Sequence, residues 1–146
     1  MELLIKKLDD RAKVPEMATG GSAGMDLCAL LDAPLVLEPG QRAMVPTGIA
    51  IALESPEYVA LIFARSGLAV KHGITLSNCV GVVDSDYRGE GKVGLINLSD
   101  AAYEIAPGER IAQMVIMPVV ASRPKIVDTL PETARGEGGF GSTGRK

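Results

Sequence analysis

"APLVLEPGQRAMVPTGIAIALESPEYVALIFA", residues Ala33–Ala64, is a run of short apolar segments cut by turn residues, and its reading decides the fold class. Leu35–Leu37, Ala43–Leu53 and Tyr58–Phe63 carry strand-type side chains, while "EPGQ" and "ESPE" supply the Pro, Gly and Ser that reverse a chain. The same rhythm extends outward to Leu3–Leu8 and Met25–Leu30 before it, and to Thr75–Val83, Val93–Leu98, Tyr103–Ile105 and Ile111–Val120 after it. Pro39–Gly40 and Pro107–Gly108 each precede an apolar segment and mark hairpin or corner turns. No amphipathic pattern reaches three helical turns. "SGLAVKHG", Ser66–Gly73, predicts one short helix near 66–73, opened by the Ser66 hydroxyl. Many short strands and so little helix predict an all-β fold: a distorted jelly-roll or β-clip barrel of mostly antiparallel strands.

A chain of 146 residues is one ordinary domain. Its formal net charge of −3 argues against a nucleic-acid binder, whose footprint would be basic. Hydrophobic residues make up 47% of the chain and aromatic residues 3%, more aliphatic surface than one small core readily hides, so a subunit interface is expected. The opening "MELLIKKLDD" lacks the apolar run of a signal peptide or membrane anchor, which predicts a cytoplasmic or otherwise intracellular protein with no membrane partner. Cys28 and Cys79 have no metal or redox spacing and read as buried structural thiols. His72 is the sole histidine, so a multi-histidine metal site is excluded, and no nucleophile-elbow pattern supports a triad with Ser66.

Four stretches carry candidate chemistry. In "RIAQMVIMPVV" strand alternation sets Ile111, Gln113, Val115 and Met117 on one face, making Gln113 either a satisfied core amide or an amide held at a ligand near Arg110. "FARSGLA" brings Arg65, Ser66 and Gly67 to a helix start, a grip for phosphate unless Ser66 is a plain cap and Arg65 a surface charge. "SNCVGVVDSDYRGEGKVG" holds Asn78, suited to a nucleobase edge, and Tyr87, suited to packing on a sugar. Asp84, Asp86 and Glu90 there could orient water or a hydrated metal; the bland alternative is an exposed Asp/Gly turn. Asp84 follows "GVV" and so stands where an apolar strand ends. Finally "RGEGGFGSTGRK", Arg135–Lys146, has three basic residues against one acid and consecutive glycines whose N–H groups could wrap an anion. It lacks the lysine, hydroxyl and helix of a P-loop, and "GGSAG" lacks the strand–helix context of a dinucleotide fingerprint.

Taken in order, "AGMDL" (Ala23–Leu27), "RSGLA" (Arg65–Ala69), "NCVGVVDSDYRGE" (Asn78–Glu90), "GERIAQ" (Gly108–Gln113) and "RGEGGFGSTG" (Arg135–Gly144) span the chain. This set resembles the five motifs of the trimeric deoxyuridine triphosphatase (dUTPase) family. Two departures are small: Ala64 stands where many members have Pro, and "YRGE" replaces a frequent "YxGQ".

The resemblance implies Mg²⁺-assisted hydrolysis of dUTP to dUMP and pyrophosphate by water attack on the α-phosphorus, which limits uracil incorporation into DNA and supplies dUMP for thymidylate synthesis. It implies that Asp84 deprotonates the attacking water, with Gln113 and Ser66 acting beside it. Tyr87 would exclude a 2′-hydroxyl, and Asn78 with the backbone of Gly81, Val82, Val83 and Asp84 would read uracil. Arg65, Ser66, Gly67 and Gln113 would hold the phosphates, with Gly89 and Lys92 lining the site. Asp26 would support waters around Mg²⁺, the ion itself being held chiefly by the triphosphate. The family pattern divides the chain into an all-β domain, 1–134, and a Gly-rich flap, 135–146, in which Arg135 reaches the phosphates, Phe140 stacks on uracil and Gly141 and Ser142 wrap the γ-phosphate end. It further implies a homotrimer whose sites draw on several chains. A deoxycytidine triphosphate deaminase or a non-catalytic nucleotide-binding relative would share the strand-rich architecture without needing Asp84, Tyr87, Gln113 and Phe140 together.

Overall fold

The computed structural model describes residues 2–139. Its elements in chain order are β1 (Leu3–Lys7), β2 (Met25–Cys28), β3 (Leu35–Leu37), β4 (Arg42–Val45), β5 (Ile49–Leu53), β6 (Tyr58–Ala64), α1 (Ser66–His72), β7 (Ile74–Leu76), β8 (Gly81–Val83), β9 (Val93–Asn97), β10 (Tyr103–Ile105) and β11 (Arg110–Pro118). They form four sheets with strand orders β1–β5, β3–β10, β2–β11–β6–β8 and β4–β9–β7. Each strand pairing is antiparallel. This is the expected distorted jelly-roll-like arrangement with its one short helix. From Val119 to Gly139 no further helix or strand forms, and Val120, Ile126 and Leu130 stand exposed there.

Two expected strands prove to be two strands each. Ala43–Leu53 breaks into β4 and β5 because Pro46 has no N–H to give to a ladder and Gly48 turns the chain at φ +70°. A Cβ at Gly48 would also lie 2.6 Å from Leu30 Cδ2 and 2.8 Å from Ala12 Cβ, so the corner admits only glycine. β4 then pairs with β9 while β5 pairs with β1. Thr75–Val83 breaks likewise into β7 and β8, with Cys79 at φ 64° in the intervening reversal. β7 stays with β9, whereas β8 crosses to the edge of the sheet beyond β6.

The core lies between the sheets, where Leu37, Val45, Leu95, Ile105 and Ala112 are fully buried. Each such aliphatic side chain contributes about 1.5–3 kcal/mol relative to exposure. Asn97 is buried with them and is fully satisfied: Nδ2 donates to Leu37 O and Ala101 O at 2.8 Å, and Oδ1 accepts from Ser99 N (2.9 Å) and Ser99 Oγ (2.8 Å). That knot ties β3 to the end of β9. The Tyr103 hydroxyl donates to Glu109 Oε1 at 2.6 Å, and burial with that bond pushes its pKa up to about 12.

Three further expectations are corrected. The cap of α1 is Arg65, in extended conformation and without a side-chain capping bond, so the Ser66 hydroxyl does not open the helix. The cysteines are not both buried: Cys28 is half-buried and Cys79 exposed at its reversal, and both are free thiols. On β11 a bulge between Arg110 and Ala112 shifts the alternation. Ile111 and Ala112 are therefore both buried, the core face continues through Met114, and Gln113 faces away from the core with Val115.

Candidate active site

The reversal between β7 and β8 builds the first part of the site. Cys79 N donates to Leu76 O (3.2 Å) and Val80 N to Asn78 O (2.7 Å), closing a tight turn around Asn78. Gly81 lets this hairpin lie flat on β6, since a Cβ there would approach Ile62 Cβ to 3.0 Å. As β8 is an edge strand paired, among the described residues, with β6 alone, one row of its peptide N–H and C=O groups is left open there. Asn78, Gly81, Val82, Val83, Asp84, Tyr87 and Lys92 line a cavity of about 500 Å³, with Met44, Ile62 and Leu76 supplying apolar surface. Open peptide edges beside an amide and an apolar floor suit a planar base with its own donors and acceptors.

Asp84 is exposed at the end of β8, and the loop after it folds back on itself. Tyr87 N donates to Asp84 O at 3.2 Å, and Arg88 Nη1 donates to Ser85 O (2.7 Å) and Tyr87 O (2.9 Å). The Tyr87 ring lies across Gly89, where a Cβ would sit 2.2 Å from the Tyr87 hydroxyl oxygen. Lys92 is paired with Glu90 at 3.5 Å.

The second part lies where β2, β6 and β11 meet α1. Gln113 sits opposite Asp26 on one side and Phe63 on the other, so the three share a face. Gln113 Nε2 donates to Ala64 O at 3.0 Å, so the amide is anchored to backbone while lining a cavity. Asp26 Oδ1 pairs with Arg65 Nε at 2.9 Å, Oδ2 with Arg110 Nη1 at 3.0 Å, and Arg65 Nη1 donates to Arg110 O at 3.3 Å. One carboxylate thus holds two guanidiniums side by side, a cationic pair placed for an anion. Gln113, Phe63, Asp26 and Arg65, with Gly24, Ser66 and Gly67, line a second cavity of about 470 Å³, while Arg110 lines an adjoining one that also touches Asp26 and Arg65. The first-turn N–H groups of Ser66 and Gly67 have no intrahelical acceptor and are available beside it.

The two cavities share no lining residue. One chain therefore presents the cavity with Asn78 and Asp84 in one place and the cavity with Arg65 and Gln113 in another. Arg135 reaches neither; its Nε donates to Gly138 O at 2.7 Å in an exposed turn. Phe140, Gly141 and Ser142 lie outside the described residues. Reading the sequence passed over the contribution of Arg110 to the Asp26 pair and that of Gly24, whose missing Cβ leaves room for Gln113 Oε1 at 2.9 Å. The glycine of "AGMDL" was the available signal for the latter.

Among the described residues no group of three or more His, Cys, Asp and Glu side chains could enclose a metal ion. The donor set does fit a hydrated ion brought by a ligand: a carboxylate offers about four acceptor sites, and Asp26 uses one on each oxygen for its guanidiniums. No helix among the described residues is long and apolar enough to cross a membrane.

The dUTPase family model matches residues 10–144. The deoxyuridine 5′-triphosphate nucleotidohydrolase of Idiomarina loihiensis is 56% identical over 145 residues, covering 97% of this chain and 96% of that one. The enzyme of the same name from Thiobacillus denitrificans is 54% identical, covering 97% and 99%. Among solved structures, the Staphylococcus bacteriophage 80alpha dUTPase with dUpNHpp superimposes with a TM-score of 0.88 at 29% identity, covering 98% of each chain. Motif order, fold and near-full-length identity agree, and the chain belongs to the dUTPase family.

Proposed function

We infer that the protein hydrolyses dUTP to dUMP and pyrophosphate. The observation that carries this reading is the position of Asp84, at the end of β8 on the rim of the cavity formed by Asn78, the open β8 edge and Tyr87. A base held in that cavity leaves its sugar toward Tyr87 and its phosphates toward the Asp84 carboxylate. Asp84 takes the proton from a water as the water oxygen attacks the α-phosphorus; the bond to the bridging oxygen breaks and pyrophosphate leaves. Asn78 and the peptide groups from Gly81 to Asp84 select uracil, and Tyr87, lying over Gly89, leaves no space for a 2′-hydroxyl. Lys92 lines the same cavity.

Arg65, Ser66, Gly67 and Gln113 grip the phosphate chain, and Gln113 and Ser66 stabilise the charge that develops on it. Mg²⁺ carried by the triphosphate would supply charge neutralisation, and Asp26 would hold its waters through the oxygen lone pairs its guanidiniums leave free. The glycine-rich segment 135–146 acts as the flap, Arg135 on the phosphates, Phe140 on the uracil, and Gly141 and Ser142 at the γ-phosphate.

The working form is a homotrimer. Two observations support it: the base cavity and the cationic cavity share no residue within a chain, and the segment beyond Pro118 exposes Val120, Ile126 and Leu130 with no core of its own. A second copy completes both. A panel of dUTP, UTP, dCTP and dTTP with Mg²⁺ and product identification tests the reading. dUMP and pyrophosphate from dUTP alone is the expected outcome; deamination of dCTP, or no turnover of any nucleotide, would overturn it.

A further inference from the structure

We propose that Glu90 is a positioning residue that sets deoxyribose selectivity by clamping Tyr87 to the β4–β5 corner. The inference rests on the dUTP reading above and assigns a role to a side chain outside that mechanism.

The Tyr87 ring is 47% exposed and is held by little of the core. Its hydroxyl donates to the Glu90 carbonyl oxygen at 3.2 Å. Glu90 is itself pinned: Oε1 accepts from Gly48 N at 2.9 Å and Oε2 pairs with Lys92 Nζ at 3.5 Å, with its side chain mostly shielded. The next residue is fixed to the same corner, Gly91 N donating to Ile49 O at 2.8 Å and the Thr47 hydroxyl donating to Gly91 O. The corner is rigid, because Gly48 sits at φ +70° wedged between Leu30 and Ala12. A chain of contacts therefore runs from the corner to the Glu90 carboxylate and from the Glu90 backbone carbonyl to the phenol, whose ring rests on Gly89.

Steric exclusion of one hydroxyl demands that the ring be held to a few tenths of an ångström. An unclamped tyrosine would still pack against a deoxyribose but would yield to a ribose. Loss of the carboxylate therefore affects UTP more than dUTP. Glutamine retains an oxygen for Gly48 N and so retains the clamp, although it loses the charge facing Lys92.

The test is competition between dUTP and UTP in one reaction, with dUMP and UMP quantified for the parent protein, Glu90→Ala, Glu90→Gln and Tyr87→Phe. In Glu90→Ala the ratio of kcat/KM for dUTP over UTP should fall about fivefold or more, the factor for one lost hydrogen bond. Glu90→Gln should stay within about twofold of the parent, and Tyr87→Phe, which keeps the ring but loses the hydroxyl, should fall as Glu90→Ala does. A purely structural role would lower the melting temperature of Glu90→Ala and leave the ratio unchanged, which overturns the proposal. Should Glu90→Ala not fold, an unchanged ratio in Tyr87→Phe overturns it equally. Absence of dUTP turnover by the parent would count against the function itself and not against the clamp.

Discussion

Replacing Gly24 by alanine isolates one contact of the cationic cavity. Gly24 does not occupy the left-handed region, so alanine costs nothing in backbone conformation and by itself stabilises by roughly 0.4–1 kcal/mol through the unfolded chain. The new methyl would lie 2.9 Å from Gln113 Oε1 and 3.4 Å from Val115 Cγ2. An ordinary carbon–oxygen contact is about 3.4 Å, so the amide must retreat by roughly 0.5 Å. That retreat stretches the bond from Gln113 Nε2 to Ala64 O, now 3.0 Å, to the edge of what counts as a hydrogen bond. A 1 Å misplacement at a reacting centre costs about 10²-fold, so half of that is roughly tenfold in kcat/KM. Steady-state kinetics on dUTP, with a melting temperature alongside, should show that loss at unchanged or slightly raised stability. The decisive comparison is a double-mutant cycle: in a Gln113→Ala background, Gly24→Ala should do almost nothing, a coupling of about 1 kcal/mol or more. The same tenfold loss in both backgrounds would refute the reasoning.

Asp84→Asn keeps the shape of the side chain but removes the base, so kcat should fall about 10²–10⁴-fold while dUTP still binds; near-normal turnover would reject Asp84 as the base. A chain ending at Thr133 should fold and assemble, since every strand among the described residues precedes the cut, yet lose most activity. Mixed with full-length Asp84→Asn after proven subunit exchange, it should recover activity, and no recovery at any mixing ratio would exclude closure of the tail over another subunit. Burial pushes the Cys28 thiol above its ordinary pKa and so lowers its thiolate fraction at pH 8, whereas Cys79 is exposed. Iodoacetamide should therefore label Cys79 first, an order read directly by peptide mass spectrometry and contradicted by prior labelling of Cys28.

The strands and the helix were legible because they rest on local pattern: apolar runs, Pro–Gly turns and the brief "SGLAVKHG". What local pattern hides is where a run changes partners. Ala43–Leu53 reads as one strand, and only the packing of Leu30 and Ala12 against Gly48 makes it two. A single bulge after Arg110 moved Gln113 to the face opposite the core, a one-residue slip that alternation alone cannot reveal. The same holds for the site. Asp84, Asn78 and Tyr87 lie within ten residues and come together in one hairpin and its loop, so their sequence announces them. The Asp26–Arg65–Arg110 group joins three separate segments, and the contribution of Arg110 emerges only when β2, β6 and β11 lie side by side.

The central claim, that water activated by Asp84 attacks the α-phosphorus of dUTP, is tested most directly by turnover in ¹⁸O-labelled water with mass analysis of both products. One ¹⁸O atom should appear in dUMP and none in pyrophosphate. Label in pyrophosphate would place the attack at the β-phosphorus and contradict the account.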